Sequence, residues 1–316
     1  VSFQNKDLFM KLKKMVLIAM ALISSVFAQD KPYSGAELYS NETFMYGRYE
    51  ARMYMAAGSG LVSSMFLYYN DSWIGKGEPW VEIDIEVLGK SPSTFQSNII
   101  SGSLESKITS EKHHNLSQPA NATYHTYAME WTPNYVAWFV DNVEVRRAAV
   151  GSSDEKNQVT NLNKEQSLRF NLWSSTVAAW VGAWDENILP VNQFINWVKV
   201  YNYTPGQGPN GSDFTLSWVD NFESFDNSRW GKGDWTFDEN RVTMSKGNIN
   251  VKDNTLILSI TKVGQEGFTG TVPVDPEENT SIETPKRNLE KRPSGIYEVK
   301  TFDLKGRYQG LQKIER

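Results

Sequence analysis

The stretch WVEIDIEVLGK, Trp80 to Lys90, sets three carboxylates, Glu82, Asp84 and Glu86, at alternate positions. Strand side chains point to opposite faces with a period of two. As a strand, the run places the three acids and Trp80 on one face, and Val81, Ile83, Ile85 and Val87 on the other. The apolar side reads as core. The acidic side reads either as a solvated outer face or as a site. Like charges two residues apart on one strand face stand about 7 Å from each other and repel unless something uses them. A large aromatic beside carboxylates has the character of a sugar-stacking platform.

The runs around this stretch have the same grain. FMYGRYEARMYMA (44–56), LVSSMFLYY (61–69), TFQSNII (94–100), HTYAMEW (125–131), YVAWFVDNVEVRR (135–147), SLRFNLW (167–173) and FINWVKVYNY (194–203) are each of about strand length and bounded by turn residues. They predict an all-β sandwich. Asp141-Asn142 marks a hairpin turn, since both residues tolerate positive φ. TPGQGPNGSD (204–213) reads as a linker. The following segment, 214–264, is only about 50 residues, small for an independent core, and is expected to complete the first sandwich. From 271 the chain turns rich in Pro, Glu and Asn, the composition of a tether, and closes with an apolar-alternating tail. That tail is expected to be a spare strand, an attachment module or a sorting signal.

Composition narrows the function classes. The net charge of −5 lacks the basic excess that neutralises phosphates, so nucleic acid is not an expected partner. With no cysteine, thiol catalysis, disulfides and thiolate metal sites are excluded. MKLKKMVLIAMALISSVFA, Met10 to Ala28, has a basic start, an apolar middle and Val26 and Ala28 at the −3 and −1 positions, which predicts a secretory signal peptide. A membrane anchor is the alternative reading, but the apolar run is shorter than the roughly 20 residues a span needs. The expected division is residues 1–28 as upstream residues and signal, 29–270 as the sandwich, and 271–316 as tether and tail.

On the acidic face, Gln96 and Asn98, and Arg169, Asn171 and Trp173, lie in alternating runs and can line one concave surface with the acids. Amide, guanidinium and indole groups suit the hydroxyls and ring faces of a glycan. Cutting a glycosidic bond needs one carboxylic acid to protonate the leaving oxygen and one carboxylate to attack or to activate water. Two Glu divide those jobs, and an intervening Asp holds the nucleophile and, by its negative charge, raises the pKa of the acid. Residues four apart on a strand are about 13 Å apart at Cα, so the Glu side chains must lean inward for a retaining separation of about 5.5 Å.

PWVEIDIEVLGK, FQSNII, YHTYAMEWTPNYVAWFVDN, LRFNLWSS and INWVKVY, in that order, resemble the family 16 glycoside hydrolases, and within them the β-1,3-1,4-glucanases called lichenases, over roughly residues 33–270. In ordinary lichenases the segment similar to WVDNFESFDNSRWGKGDWTFDENRV precedes the GAELYS and YGRYEARM region. Here it follows INWVKVY, so the order resembles a circularly permuted lichenase. The resemblance implies a concanavalin-like β-jelly-roll and a secreted, monomeric endo-glucanase without a catalytic cofactor. Such an enzyme cuts mixed-linkage β-glucan with retention and keeps no membrane contact after signal cleavage. It also implies Glu82 as nucleophile, Asp84 as its assistant and Glu86 as general acid and base. Substrate contacts are implied at Phe66, Tyr68, Asn70, Trp80, Gln96, Asn98, Glu111, Arg169, Asn171, Trp173, Trp180 and Trp235.

A structural calcium is implied at Asn196, Asn221 and a backbone carbonyl that belongs to a glycine in the permuted relative and to Asn254 here. Trp131, Trp138, Trp197 and Trp218 are expected in the core or at edges. His113, His114 and His125 are too few and too scattered for a zinc site. Three rival readings stand: a lectin-like module without catalysis, a β-1,3-glucanase or transglycosylase on the same fold, and acids that merely hold calcium.

Overall fold

In the computed structural model, residues 31–276 are described in full, together with the backbone of two strands at 296–302 and 308–315. The signal-peptide reading and most of the expected tether lie outside the described residues. Among the described residues no helix is long and apolar enough to cross a membrane.

One curled, almost wholly antiparallel sheet of seventeen strands folds into two layers. The first layer runs β14 (Trp230–Lys232), β1 (Tyr33–Phe44), β11 (Gln166–Ser174), β3 (Leu61–Tyr68), β4 (Glu82–Leu88) and β5 (Thr94–Gly102). The short strands β6 (Lys107–Thr109) and β7 (Lys112–Asn115) pair with the far edge of β5. The second layer runs β16 (Ile249–Lys252), β17 (Thr255–Lys262), β12 (Val191–Tyr203), β2 (Gly47–Tyr54), β8 (His125–Trp131), β9 (Tyr135–Val140) and β10 (Val143–Ala149). β13 (Phe214–Asp220) pairs with the second half of β12. The start of β1 crosses over to β17 and lies parallel to β15 (Val242–Met244), which joins the layers. This is a β-jelly-roll sandwich.

The alternation read in β4 holds: Val81, Ile83, Ile85 and Val87 are fully buried in the core. Tyr49, Ala51 and Met53 of β2 join the same core from the opposite layer. Hydrogen bonds also cross between layers. Trp138 Nε1 donates to the Asp84 carbonyl at 2.9 Å, and Gln193 Nε2 to the Ser64 carbonyl at 3.3 Å. These bonds fix β4 and β3 against the layer behind them. Trp131 and Trp138 are buried, as expected, and Asp141 and Asn142 turn the β9–β10 hairpin at φ 48° and 65°.

The segment 204–213 is a closed hairpin loop rather than a free tether. Tyr203 and Phe214 pair at its neck, and Thr204 N–H donates to the Asp213 carbonyl at 2.7 Å. Gly206 N–H donates to the Asp213 carboxylate at 2.9 Å, from a left-handed φ of 68° that suits glycine. Segment 214–264 supplies strands to both layers, so it completes the sandwich as its size suggests.

The compact unit ends at Asp275, not at residue 270, and a second unit begins at Pro276. Asp275 is 2% exposed. Its carboxylate takes two hydrogen bonds from Arg52, at 2.9 and 2.8 Å, and one from Asn196 Nδ2 at 3.0 Å. Removing one partner of a buried ion pair strands the other charge, at a cost of roughly 3–5 kcal/mol. Asp275→Ala is therefore expected to lower the unfolding free energy measured in urea by an amount of that order, seen as a fall in the midpoint; an unchanged midpoint would place the end of the fold before Asp275. In the second unit, β18 (Ile296–Phe302) and β19 (Tyr308–Glu315) form an antiparallel hairpin.

Candidate active site

Register assembles the face. β3 sets Tyr68, Phe66 and Ser64 opposite Glu82, Asp84 and Glu86. On the other side of β4, Asn98 and Gln96 of β5 oppose Asp84 and Glu86. One strand beyond β3, Arg169 and Asn171 of β11 oppose Phe66 and Ser64, and beyond them Tyr39 and Glu37 of β1 oppose Arg169 and Asn171. Directly opposed residues of an antiparallel ladder share a face. Chain segments more than a hundred residues apart thus meet on one surface. It is not a solvated outer face: Asp84 is 4% exposed, and Gln96, Asn98 and Asn171 are equally buried.

Burial raises the proton affinity of all three acids, and their neighbours then sort them. Trp80 Nε1 donates to Glu82 Oε2 at 2.6 Å. That bond, the Lys107 and Arg169 cations and a hydrogen bond from Asp84 all favour the charged form of Glu82 and offset part of its burial. Asp84 is raised well above the usual carboxylate range, by burial and then by the charges of Glu82 and Glu86. Of the pair, Asp84 is raised the more strongly. Glu86 is pushed up to about 8, first by burial, then by Glu82 and Glu111.

The remaining predicted contacts gather at the two ends of the acid row. At the Glu82 end, Arg169 binds Glu37 at 2.6 Å and Asn70 Oδ1 at 2.8 Å, with its guanidinium 4.9 Å from the Tyr68 ring and 5.7 Å from that of Trp235. Phe66 packs edge-on to Tyr68, and Tyr68 to Trp80. At the Glu86 end, the one-turn helix α1 (Ala178–Val181) presents Trp180, whose Nε1 donates to Gln96 Oε1 at 3.1 Å and whose ring lies 5.7 Å from Trp173. Gln96 Nε2 reaches Glu111 at 2.9 Å. A cavity of about 240 Å³ opens there, lined by Gln96, Glu111, His113, Trp180, Lys90 and Thr94 among others.

Sequence reasoning missed Glu37, Tyr39, Ser64, Lys107 and His113. Glu37 and Tyr39 alternate in YSGAELYS, and Ser64 alternates with Phe66 and Tyr68, so a period-two reading was available for these three. Lys107 lies in a three-residue exposed strand with no such signal. His113 pairs with Glu111 at 2.9 Å, His114 with Ser97 at 2.7 Å and His125 with Asp141 at 2.6 Å. Among the described residues no group of three or more His, Cys, Asp or Glu converges as a metal site.

The implied calcium ligands would all be neutral oxygens, carried on β12 and on the segments beside it. Asn196 lies between Ile195, which faces Leu256, and Val198, which faces Asp220, so Asn254 and Asn221 flank the same stretch of β12. Asn196 spends its amide nitrogen on Asp275, so its amide oxygen is the atom it offers a cation. Asn254 sits at φ 53°, the left-handed conformation natural to glycine, so its carbonyl keeps the backbone setting that the role requires. This donor set fits a hard, oxygen-seeking cation.

A row of carboxylates, two glutamates flanking a buried aspartate, crosses a jelly-roll sheet between indoles and amides. Fold and face together define a glycoside hydrolase. The chain belongs to the Glycosyl hydrolases family 16, whose profile it matches over residues 1–199. It is 61% identical over 259 residues to a beta-glucanase of Fibrobacter succinogenes, covering 82% of this chain and 72% of that protein. It is 34% identical over 176 residues to a beta-glucanase of Brevibacillus brevis, covering 55% of this chain and 62% of that one. The solved beta-glucanase of Bacillus licheniformis is 34% identical and covers 52% of this chain and 70% of its own, with a TM-score of 0.44.

Proposed function

We propose that the chain is an endo-β-1,3-1,4-glucanase that cuts mixed-linkage β-glucan by retaining double displacement. What supports the mechanism is the arrangement along β4: Glu82 accepts the Trp80 N–H at 2.6 Å and has the Lys107 and Arg169 cations near it, which favour its charged form, while burial and the charges of Glu82 and Glu111 favour the protonated form of Glu86. Glu82 attacks the anomeric carbon while Glu86 gives its proton to the departing glycosidic oxygen. Asp84 steadies Glu82 through their shared hydrogen bond. In the second step the Glu86 carboxylate takes a proton from water, the water attacks the same carbon, and Glu82 leaves with its charge restored. A face that runs across five strands accepts the middle of a polymer, which favours endo cleavage. The linkage preference is supported by the identity to the Fibrobacter succinogenes beta-glucanase.

Reducing-sugar release from lichenan, barley β-glucan, laminarin and cellulose tests this reading. Lichenan and barley β-glucan are expected to be cut fast and the other two slowly. Faster cleavage of laminarin would make the protein a β-1,3-glucanase, and binding without cleavage would make it a lectin-like module.

The order of segments is read as a circular permutation. Loop 204–213 joins two strands that pair directly, and the segment after it supplies β14 and β15 to β1, the first described strand. The more distant Brevibacillus brevis relative aligns over a shorter share of this chain than the Fibrobacter succinogenes one does. A calcium ion held by Asn196, Asn221 and the Asn254 carbonyl would tie β12 to β13 and to the β16–β17 turn. Chelation is then expected to lower Tm by several degrees and added Ca²⁺ to restore it; a Tm indifferent to both would remove the ion from the account. Export through the signal at Met10–Ala28, and surface attachment through the tail, complete the proposal for a secreted, monomeric enzyme.

A further inference from the structure

Lys107 stands opposite Gly102 where β6 pairs with the end of β5. The carbonyl of that same Gly102 accepts the Trp80 backbone N–H at 2.9 Å, so Trp80 and Lys107 reach one residue from its two sides. The ammonium of Lys107 lies 3.4 Å from the centre of the Trp80 ring. The N–H of that ring is the donor to Glu82 at 2.6 Å. A cation over an indole face is attracted by the negative charge of the ring's π face, which biases a ring that has one hydrogen bond to keep.

The charges around Glu82 leave this cation a second task. Asp84 and Glu86 face it along its own strand, Tyr68 from β3, Arg169 from β11, and Glu37 of β1 through Arg169. Arg169 is already committed to Glu37, Asn70 and Ser167. Lys107 has no ion-pair partner among the described residues.

We propose that Lys107 is a positioning residue of this site: its ammonium clamps Trp80 against Glu82 and acts as the counter-ion that keeps Glu82 charged before attack. The proposal rests on the reading of Glu82 as the nucleophile. It also changes the part played by Trp80. The ring face under the ammonium is covered, so a sugar at that place meets N–H donors for its hydroxyls rather than a bare stacking surface. Glu82 loses its charge as it attacks, so an ammonium nearby stabilises the ground state at least as much as the transition state. Its contribution is to the fraction of enzyme with Glu82 ionised, and it is therefore read at low pH.

The test is kcat/KM on barley β-glucan across the pH range of activity, for the full chain and for Lys107→Met and Lys107→Arg. With the cation removed, the acid limb is expected to move up by roughly half to one pH unit, a loss of roughly 3–10-fold below the limb, while the alkaline limb stays in place. Lys107→Arg is expected to keep the limb of the unsubstituted protein. Added salt is expected to move the acid limb of the unsubstituted protein upward and leave that of Lys107→Met unmoved. An acid limb that stays in place in Lys107→Met, or a loss equal at every pH, overturns the proposal. Glu82→Gln separates the two levels: if it is inactive and the limb does not move, only the role of Lys107 fails, whereas if it is active the nucleophile itself is misassigned.

Discussion

Glu82→Gln is expected to lower kcat on barley β-glucan by roughly 10⁴-fold, about 5.5 kcal/mol at 1.36 kcal/mol per tenfold. The amide keeps the shape of the carboxylate and still accepts the Trp80 N–H, so the face that holds the polymer is unaltered. What disappears is the negative charge that makes the oxygen nucleophilic enough to bond the anomeric carbon. Oligosaccharide affinity is therefore expected to change by no more than about threefold, because a group whose contribution is made in the transition state contributes little to ground-state binding. Glu82→Ala opens space at the same place, and added azide is expected to restore turnover and give a glycosyl azide of inverted configuration. A Glu82→Gln enzyme with nearly normal kcat would show that another group attacks.

Glu86→Gln removes a proton rather than a nucleophile, and its signature differs. General acid catalysis is worth about 10²–10⁴-fold, so hydrolysis of the polymer is expected to fall by that factor. An aryl glycoside with a good leaving group needs no proton in the first step. On it, Glu86→Gln is expected to show a burst of phenol followed by slow turnover, because the second step still lacks its base. In the unsubstituted enzyme, activity is expected to fall as pH rises through about 8, where Glu86 gives up the proton it must donate, and this limb is absent in the variant.

The same group links to stability. Its folded value of about 8 lies above the ordinary 4.5, so between these the folded state holds a proton that the unfolded chain has released. Stability therefore declines as pH rises across that window. Glu86→Gln is expected to be the more stable protein at pH 8, by about 1–3 kcal/mol, and no more stable at pH 4. A destabilised variant at pH 8 would mean that Glu86 is not strained by its surroundings.

How far the sequence discloses all this depends on whether the deciding interaction is local. The strand of Glu82, Asp84 and Glu86 is readable because its other side must face a core, and that fixes the period. The face of the sheet is only half readable: Gln96, Asn98, Arg169 and Asn171 show the right alternation, but which strands lie side by side is set by pairings across more than a hundred residues. Glu37 shows the limit, since it enters the site only because β1 lies against β11. Composition misplaces the end of the fold for the same reason. The residues before Asp275 read as tether, and it is a buried ion pair with Arg52, 223 positions away, that holds them down. In 204–213 the same Pro, Gly and Asn serve a closed loop or a linker equally well, and the pairing of Tyr203 with Phe214 decides. The charge of Asp84 depends on burial, which spacing does not convey.

In the proposed mechanism Glu82 forms a covalent glycosyl-enzyme while Glu86 handles the proton. A 2-deoxy-2-fluoro glucan glycoside with a good leaving group slows the second step and traps that species for peptide mass spectrometry. One added glycosyl unit is expected on the peptide carrying WVEIDIEVLGK, at Glu82 and lost from Glu82→Gln. A label at Glu86, or a first product of inverted configuration with no label on the protein, would contradict it.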